Sequence, residues 1–338
     1  MKKITLTYLV LFCVTTLYSC DKGKTSENKA LLDSKVRVVY TEFEMVQEND
    51  HFNEKSSDIK AMNFDTKEFF YISKDDFVDG EPKWSPDGKS ILFKTIRGYD
   101  NLTLKILGTE GPFKLVIYDI KENTFKNLVI KYQLNRPEFL RIDYDYIQWN
   151  NKGDKFLFKF HKNKIMECKL EGDSVKMLKE LGQDLLLEDF TITDNDSLWI
   201  FKGRPDALNE IIYIYNNRDS SSIVINNYNV YRICDYSENK KTILFNDFKN
   251  NLYKYSLISR EVKKLDIPII ERPMLLTECK YLDEKKLVCL IEKLYNNNEE
   301  LLRNAEIVLM DLEKQKLEWL TNDGLGKRDL DIYIRNDK

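Results

Sequence analysis

Histidine is nearly absent: the 338-residue chain holds only His51 and His161. A multi-histidine metal centre therefore cannot be assembled. His51 lies in the polar run QENDHFNEK and His161 at a predicted tight turn, and neither has a legible partner that would make it a general base. No G-x-S-x-G occurs, which excludes the usual hydrolase nucleophile elbow. An excess of one charge is also missing, with 53 Lys and Arg against 56 Asp and Glu and a formal net charge of -3. The electrostatic footprint of a nucleic-acid binder is thus lacking. What is present, 42% apolar and 32% charged residues, belongs to an ordinary globular protein with a sizeable core.

The leading apolar run, Ile4 to Leu17, is shorter than the ~20 residues that span a bilayer. Preceded by Lys2 and Lys3, it reads as a signal peptide. Its ending, Leu17-Tyr18-Ser19-Cys20, resembles the lipobox of bacterial lipoproteins, in which the cysteine is lipidated and becomes the new N-terminus. Residues 1–19 are expected to be removed and Cys20 to carry the lipid. Residues 20–34, polar and without periodicity, are expected to be a flexible tether. Cys168, Cys234, Cys279 and Cys289 remain, too few for a dense disulfide framework and expected to be buried as small apolar side chains. An alternative stays open for Cys279 and Cys289, which flank the turn LDEKK and would face each other across a hairpin.

The stretch WSPDGKSILF, from Trp84, contains Gly-Lys-Ser, yet a phosphate loop needs glycine at position 83, which is Lys. Pro86-Asp87-Gly88 is turn chemistry joining two strands. The pattern of an aromatic, a polar turn and three apolar residues returns at Trp149 to Phe158 and at Tyr236 to Phe245. Looser copies start at Tyr281 and Thr193. Between these anchors falls a second strand, turn, strand unit, as in VIYDIKENTFKNL and YKYSLISREVKKL. Two hairpins in about 43 residues are the sequence appearance of a propeller blade. The expected fold is all-β, a six-bladed β-propeller over residues 35–338. Its first blade starts at Val36 and is completed by the final strand, Asp329 to Ile334.

The Trp84 motif and its degenerate copies resemble the repeat of TolB-like six-bladed propellers, with related blades in the prolyl oligopeptidase family. The resemblance implies the fold strongly and activity weakly. Among TolB-like relatives it implies docking of an envelope lipoprotein at the channel mouth, although this chain lacks their preceding α/β domain.

Candidate sites follow from blade topology. Taking the residue before each anchor, and two further back, places Glu81, Lys83, Gln148, Asp235, Glu278 and Lys280 in the central channel, with Asp331 from the closing strand. Long connections are expected on one face: 42–57, 97–111, 131–143, 202–209, 268–275 and 293–304. Three of them contain Arg-Pro, at Arg136, Arg204 and Arg272, suited to anion recognition, and aromatic residues such as Tyr99 and Tyr132 add contact area. Asp194-Asn195-Asp196 is no calcium loop, because its twelfth position is Pro205.

No catalytic residue, metal or cofactor is expected. The chain reads as a non-enzymatic lipoprotein, monomeric and lipid-anchored in a bacterial envelope, at the outer membrane and facing either side of it. It binds an envelope protein or cell-surface ligand through its long-loop face. Two alternatives stay open: a carbohydrate lyase or hydrolase using Glu81, Asp235 and Glu278, and a solute-binding lipoprotein.

Overall fold

The computed structural model describes residues 28–48, 51–96, 114–128, 145–160, 163–170, 175–180, 186–192, 197–204, 210–297 and 300–335. Blade 1 contributes β1 (Val36–Glu48), β2 (His51–Asn63) and β3 (Glu68–Tyr71). Blade 2 is β4 (Asp79–Trp84), β5 (Ser90–Thr95), β6 (Lys114–Asp119) and β7 (Thr124–Leu128). Blade 3 is β8 (Asp145–Trp149), β9 (Lys155–Phe160), β10 (Lys164–Lys169) and β11 (Val175–Glu180). Blade 4 is β12 (Leu186–Ile192), β13 (Leu198–Arg204), β14 (Ile211–Asn216) and β15 (Ser222–Ile225). Blade 5 is β16 (Val230–Ser237), β17 (Thr242–Asp247), β18 (Leu252–Ser256) and β19 (Val262–Lys264). Blade 6 is β20 (Met274–Tyr281), β21 (Lys286–Asn297), β22 (Glu300–Asp311) and β23 (Lys316–Trp319). The last strand, β24 (Gly326–Ile334), returns to blade 1 and pairs antiparallel with β1, from Val36↔Ile334 to Phe43↔Gly326. Six four-stranded sheets form a ring closed by its final strand, as the repeat spacing predicts.

The apolar triplets have a simple cause. Each blade is a sheet packed on both faces, so successive residues of its second strand both find apolar neighbours. Ile91 and Phe93 face blade 1, beside Val39 and Ile59. Leu92 faces blade 3, beside Ile147 and Phe156. Each blade boundary holds one such cluster, so the core is a ring of six wedges. Fully burying one such side chain is worth about 1.5–3 kcal/mol.

The single complete copy of the turn motif stands where the ring closes. Gly88 has φ +67°, and a Cβ there would meet the Tyr333 ring at 2.4 Å. Only glycine allows the approach. Tyr333 also packs against Trp84, with ring centroids 6.2 Å apart. Arg37 lies over both rings and donates to the carbonyls of Gly88, Leu32 and Ser34.

Part of the tether expectation is corrected. Residues 28–33 form a short helix, with Leu31 fully buried in the first wedge and Asn28 donating to the Tyr118 hydroxyl. This segment lies on the face of the short turns: Asn63, at one of them, donates to the Ala30 carbonyl, and Arg37 donates both to the Leu32 carbonyl and to that of Gly88 in another. Residues 20–27, with Cys20, lie outside the described residues.

A second correction concerns the connections. Residues 42–48 and 51–57, and residues 293–297 and 300–304, expected within irregular loops, are arms of two extended hairpins. In one, β1 and β2 stay paired to Glu48↔His51, and in the other β21 and β22 to Asn297↔Glu300. Both rise from neighbouring blades on the face opposite the short turns. Their polar composition hides strands whose pairing extends beyond the core.

Candidate functional site

Each innermost strand carries at least one extra residue, and β16 carries two. The register slips between Gly80 and Lys83, Asp145 and Gln148, Leu187 and Asp189, Leu276 and Glu278, and in β16 both between Val230 and Arg232 and between Ile233 and Asp235. In β24 the two residues Asp329 and Leu330 stand opposite one position of β1. At three of these bulges the first extra residue is left-handed: Glu81 (φ 53°), Tyr146 (φ 58°) and Asp329 (φ 59°). Such a backbone costs of order 1–2 kcal/mol for a non-glycine residue. It also turns that residue's N–H out of its own sheet.

Those three N–H groups point to the preceding blade, where a carboxylate receives each one. Asp329 N donates to Glu278 Oε1 (2.9 Å), Glu81 N to Asp329 Oδ2 (3.2 Å) and Tyr146 N to Glu81 Oε2 (2.7 Å). Further bonds cross the same boundaries, from Leu330 N to Glu278 Oε2 (2.9 Å) and from Trp84 N to Asp331 Oδ2 (2.8 Å). On the far side of the ring Tyr281 N donates to Asp235 (2.8 Å), Gln148 to the Phe190 carbonyl (2.8 Å), Lys202 to the Tyr231 carbonyl (2.7 Å) and Asn246 to the Leu276 carbonyl (2.6 Å). Every blade boundary is thereby clasped by a polar side chain. A hydrogen bond to a charged group contributes about 1.5–3 kcal/mol, enough to offset the left-handed bulges.

The cavity at the ring's centre, about 220 Å³, is lined by all six predicted channel residues: Glu81, Lys83, Gln148, Asp235, Glu278 and Lys280. Arg232 and Asp329 also line it and were not selected from the sequence. Asp329 stands two residues before Asp331 as Glu81 does before Lys83, and Arg232 is displaced by the second bulge of β16. Asp331 instead holds the Trp84 amide. Charge is balanced within the channel. Glu278 pairs with Arg232 (2.6 Å), Glu81 with Lys94 (2.6 Å), and Lys280 stands 4.0 Å from Asp235.

Two channel acids titrate in opposite directions. Burial pushes the Asp329 carboxyl up, but Arg328, Arg232, Lys94 and Lys83 outweigh it and hold the group below its ordinary value. A carboxylate depressed in the folded state adds stability above its unfolded value and loses it as pH falls through the folded one. Asp235 is raised by burial, against Lys280 and the N–H groups of Tyr281 and Tyr236. Its ionisation therefore opposes folding as pH rises through the raised value. Urea unfolding between about pH 3 and 7 should show Asp329→Asn flattening the loss of stability in acid, where carboxylates titrate near 4. Asp235→Asn should raise stability at neutral pH relative to acid. An acid limb unchanged by Asp329→Asn would contradict the assignment.

The long-loop face is described in part. Arg272 is exposed on the link from blade 5 to blade 6. Beside it in sequence, Ile269 is 84% exposed. Phe248, on the same face, is 45% exposed and packs on Tyr231 with ring centroids 4.8 Å apart. Arg204 ends β13. Tyr99, Tyr132 and Arg136 lie outside the described residues. Among the described residues, no group of three or more His, Cys, Asp or Glu side chains is placed to hold a metal ion, and no helix is long and apolar enough to cross a membrane.

No protein-family model matches the sequence, and no curated protein does. Solved structures do match. TolB from Acinetobacter baumannii is 14% identical, with a TM-score of 0.55 over 87% of this chain and 65% of that one. A putative TolB from Agrobacterium tumefaciens is 12% identical, with a TM-score of 0.58 over 86% of this chain and 91% of that one. The chain thus spans about two thirds of the length of the Acinetobacter protein. At these identities the likeness is one of fold: the chain is a TolB-like six-bladed β-propeller.

Proposed function

We propose that the protein is a non-enzymatic, membrane-tethered propeller that binds a protein of the bacterial envelope through its long-loop face. The observation that carries this reading is the polarity of the ring. The described chain begins at Asn28 on the short-turn face, and both extended hairpins rise from the opposite one. A lipid on Cys20 would be eight residues away, at most roughly 30 Å of extended chain. The anchor then holds the short turns toward the membrane and presents the arms, Phe248, Ile269 and Arg272 away from it. Long connections on a rigid scaffold are where recognition usually resides. The two TolB likenesses support the fold on which this rests.

Catalysis by channel carboxylates ranks below binding. The oxygens of Glu81 and Glu278 accept main-chain N–H groups and pair with Lys94 and Arg232. A general acid needs a proton to give and a general base a lone pair open to substrate, and the oxygens of Glu81 and Glu278 are engaged as acceptors.

The test is cross-linking in intact cells, read by mass spectrometry. A defined envelope protein should be captured, and changing Arg136, Arg204 and Arg272 together to Ala should lower its yield about tenfold, equivalent to ~1.4 kcal/mol. Changing Asp87 and Lys89 on the short-turn face should leave the yield unaltered. Capture that responds only to the short-turn pair would overturn the orientation, and capture indifferent to the three arginines would remove them from the interface.

A further inference from the structure

Three of the four cysteines that follow Cys20 meet in one wedge. Cys234 of blade 5 and Cys279 and Cys289 of blade 6 lie in the same apolar cluster, each no more than 2% exposed. Cys279 and Cys289 are direct partners across the β20–β21 hairpin, with their Sγ atoms 2.7 Å apart. The hairpin's turn fixes the kind of pair they make. Leu282 N donates to the Lys286 carbonyl, so residues 282 and 286 form a hydrogen-bonded pair. Alternation then makes Tyr281↔Leu287 a non-bonded pair, Lys280↔Val288 a bonded one and Cys279↔Cys289 non-bonded again. Non-bonded partners have Cα atoms about 4.5 Å apart and the closer side chains. That separation falls inside the roughly 4.4–6.8 Å range of disulfides.

We propose that Cys279 and Cys289 are a disulfide-forming pair, oxidised while the hairpin folds in an oxidising compartment, with Cys234 and Cys168 remaining thiols. The presence of the bond in cells rests on the export reading above; the pairing itself rests on register alone. In the reaction a thiolate of one cysteine attacks a disulfide oxidant such as glutathione disulfide, releasing one thiol. The second cysteine then attacks the mixed disulfide and releases the other. One S–S bond forms in the protein and one is broken in the oxidant, with two electrons and two protons passing to it. Timing follows from burial. In the finished fold both sulfurs are inaccessible, and burial holds the Cys279 thiol well above its ordinary value. Exchange therefore precedes the docking of blade 5 against blade 6. Cys234 sits on a different blade and meets the pair only after that docking.

The test uses the full chain in two preparations, one isolated from the envelope of cells and one refolded with reduced and oxidised glutathione. Each is denatured, alkylated without reduction and digested. In both, a peptide linking Cys279 to Cys289 is expected, with Cys168 and Cys234 alkylated, and Cys289→Ser should return Cys279 to the alkylated set. A link in the refolded chain but not in the cellular one supports the pairing and overturns the export reading. Full alkylation of Cys279 and Cys289 in both preparations, or a Cys234–Cys279 link, overturns the pairing.

Discussion

A chain ending at Leu325 is expected to lose its cooperative unfolding transition altogether. The truncation removes β24, and with it Leu330, fully buried in the wedge between blades 6 and 1. It also removes the seven register partners of β1 from Val36 to Phe43. Glu278 is left without the amides of Asp329 and Leu330, and Glu81 N and Trp84 N lose Asp329 and Asp331. One buried leucine is worth about 1.5–3 kcal/mol, and each charge-assisted bond a similar amount. Together with the lost pairing these exceed the whole stability of a typical domain, about 5–15 kcal/mol. An open first blade would also expose the inner edge of β1 to other chains. Thermal unfolding followed by circular dichroism, with size-exclusion chromatography, should show no sharp transition and association into aggregates. A monomer melting like the intact chain would mean that the ring closes by other means.

The second large effect lies on the link that feeds β24. Lys327 is fully buried, and its ammonium donates to Glu306 Oε2 (3.2 Å), to Asp323 and to the Leu325 carbonyl (3.3 Å). Glu306, itself 1% exposed, also accepts from the Thr321 hydroxyl and the Gly324 amide. Removing one member of such a pair leaves a charge buried without its counterion, which costs about 3–5 kcal/mol. Lys327→Met should therefore lower the unfolding free energy in urea by that amount. Adding Glu306→Gln to Lys327→Met should recover part of it, because the orphaned charge is gone. A loss under about 1 kcal/mol, the scale of an exposed pair, would show that the cluster is solvated.

Much of the ring was legible because its chemistry repeats. Both faces of each blade are buried, so Ile91-Leu92-Phe93 and Ile243-Leu244-Phe245 stand out as apolar triplets at a fixed distance from an aromatic anchor. The residues taken by the same offset, Glu81, Lys83, Gln148, Asp235, Glu278 and Lys280, line the central cavity. The offset did not select Arg232, because β16 carries two bulges and nothing in its sequence announces the added residue, whereas Asp329 stands two before Asp331 as Glu81 does before Lys83 and was passed over. The hairpin arms were missed for a different reason: QENDHFNEK has the composition of a loop, and its strands pair outside the core where no apolar alternation is required. The helix at 28–33 is too short to show a helical period, so it reads as part of the polar tether although Leu31 is buried with Ala30 and Leu32 packed beside it. The short turns, set by residues such as Pro86-Asp87-Gly88, fell where the sequence placed them.

The most direct check on the channel is amide hydrogen exchange, residue by residue, in the intact protein and in Glu278→Ala. In the intact protein the amides of Asp329, Leu330, Glu81, Trp84, Tyr146 and Tyr281 should exchange only with global unfolding, since carboxylates on neighbouring blades hold them. Glu278→Ala should speed Asp329 and Leu330 selectively and leave Tyr281, which Asp235 holds, slow. Rapid exchange of all six in the intact protein would contradict the assignment of these acids as the clasps of the ring and free them for another role.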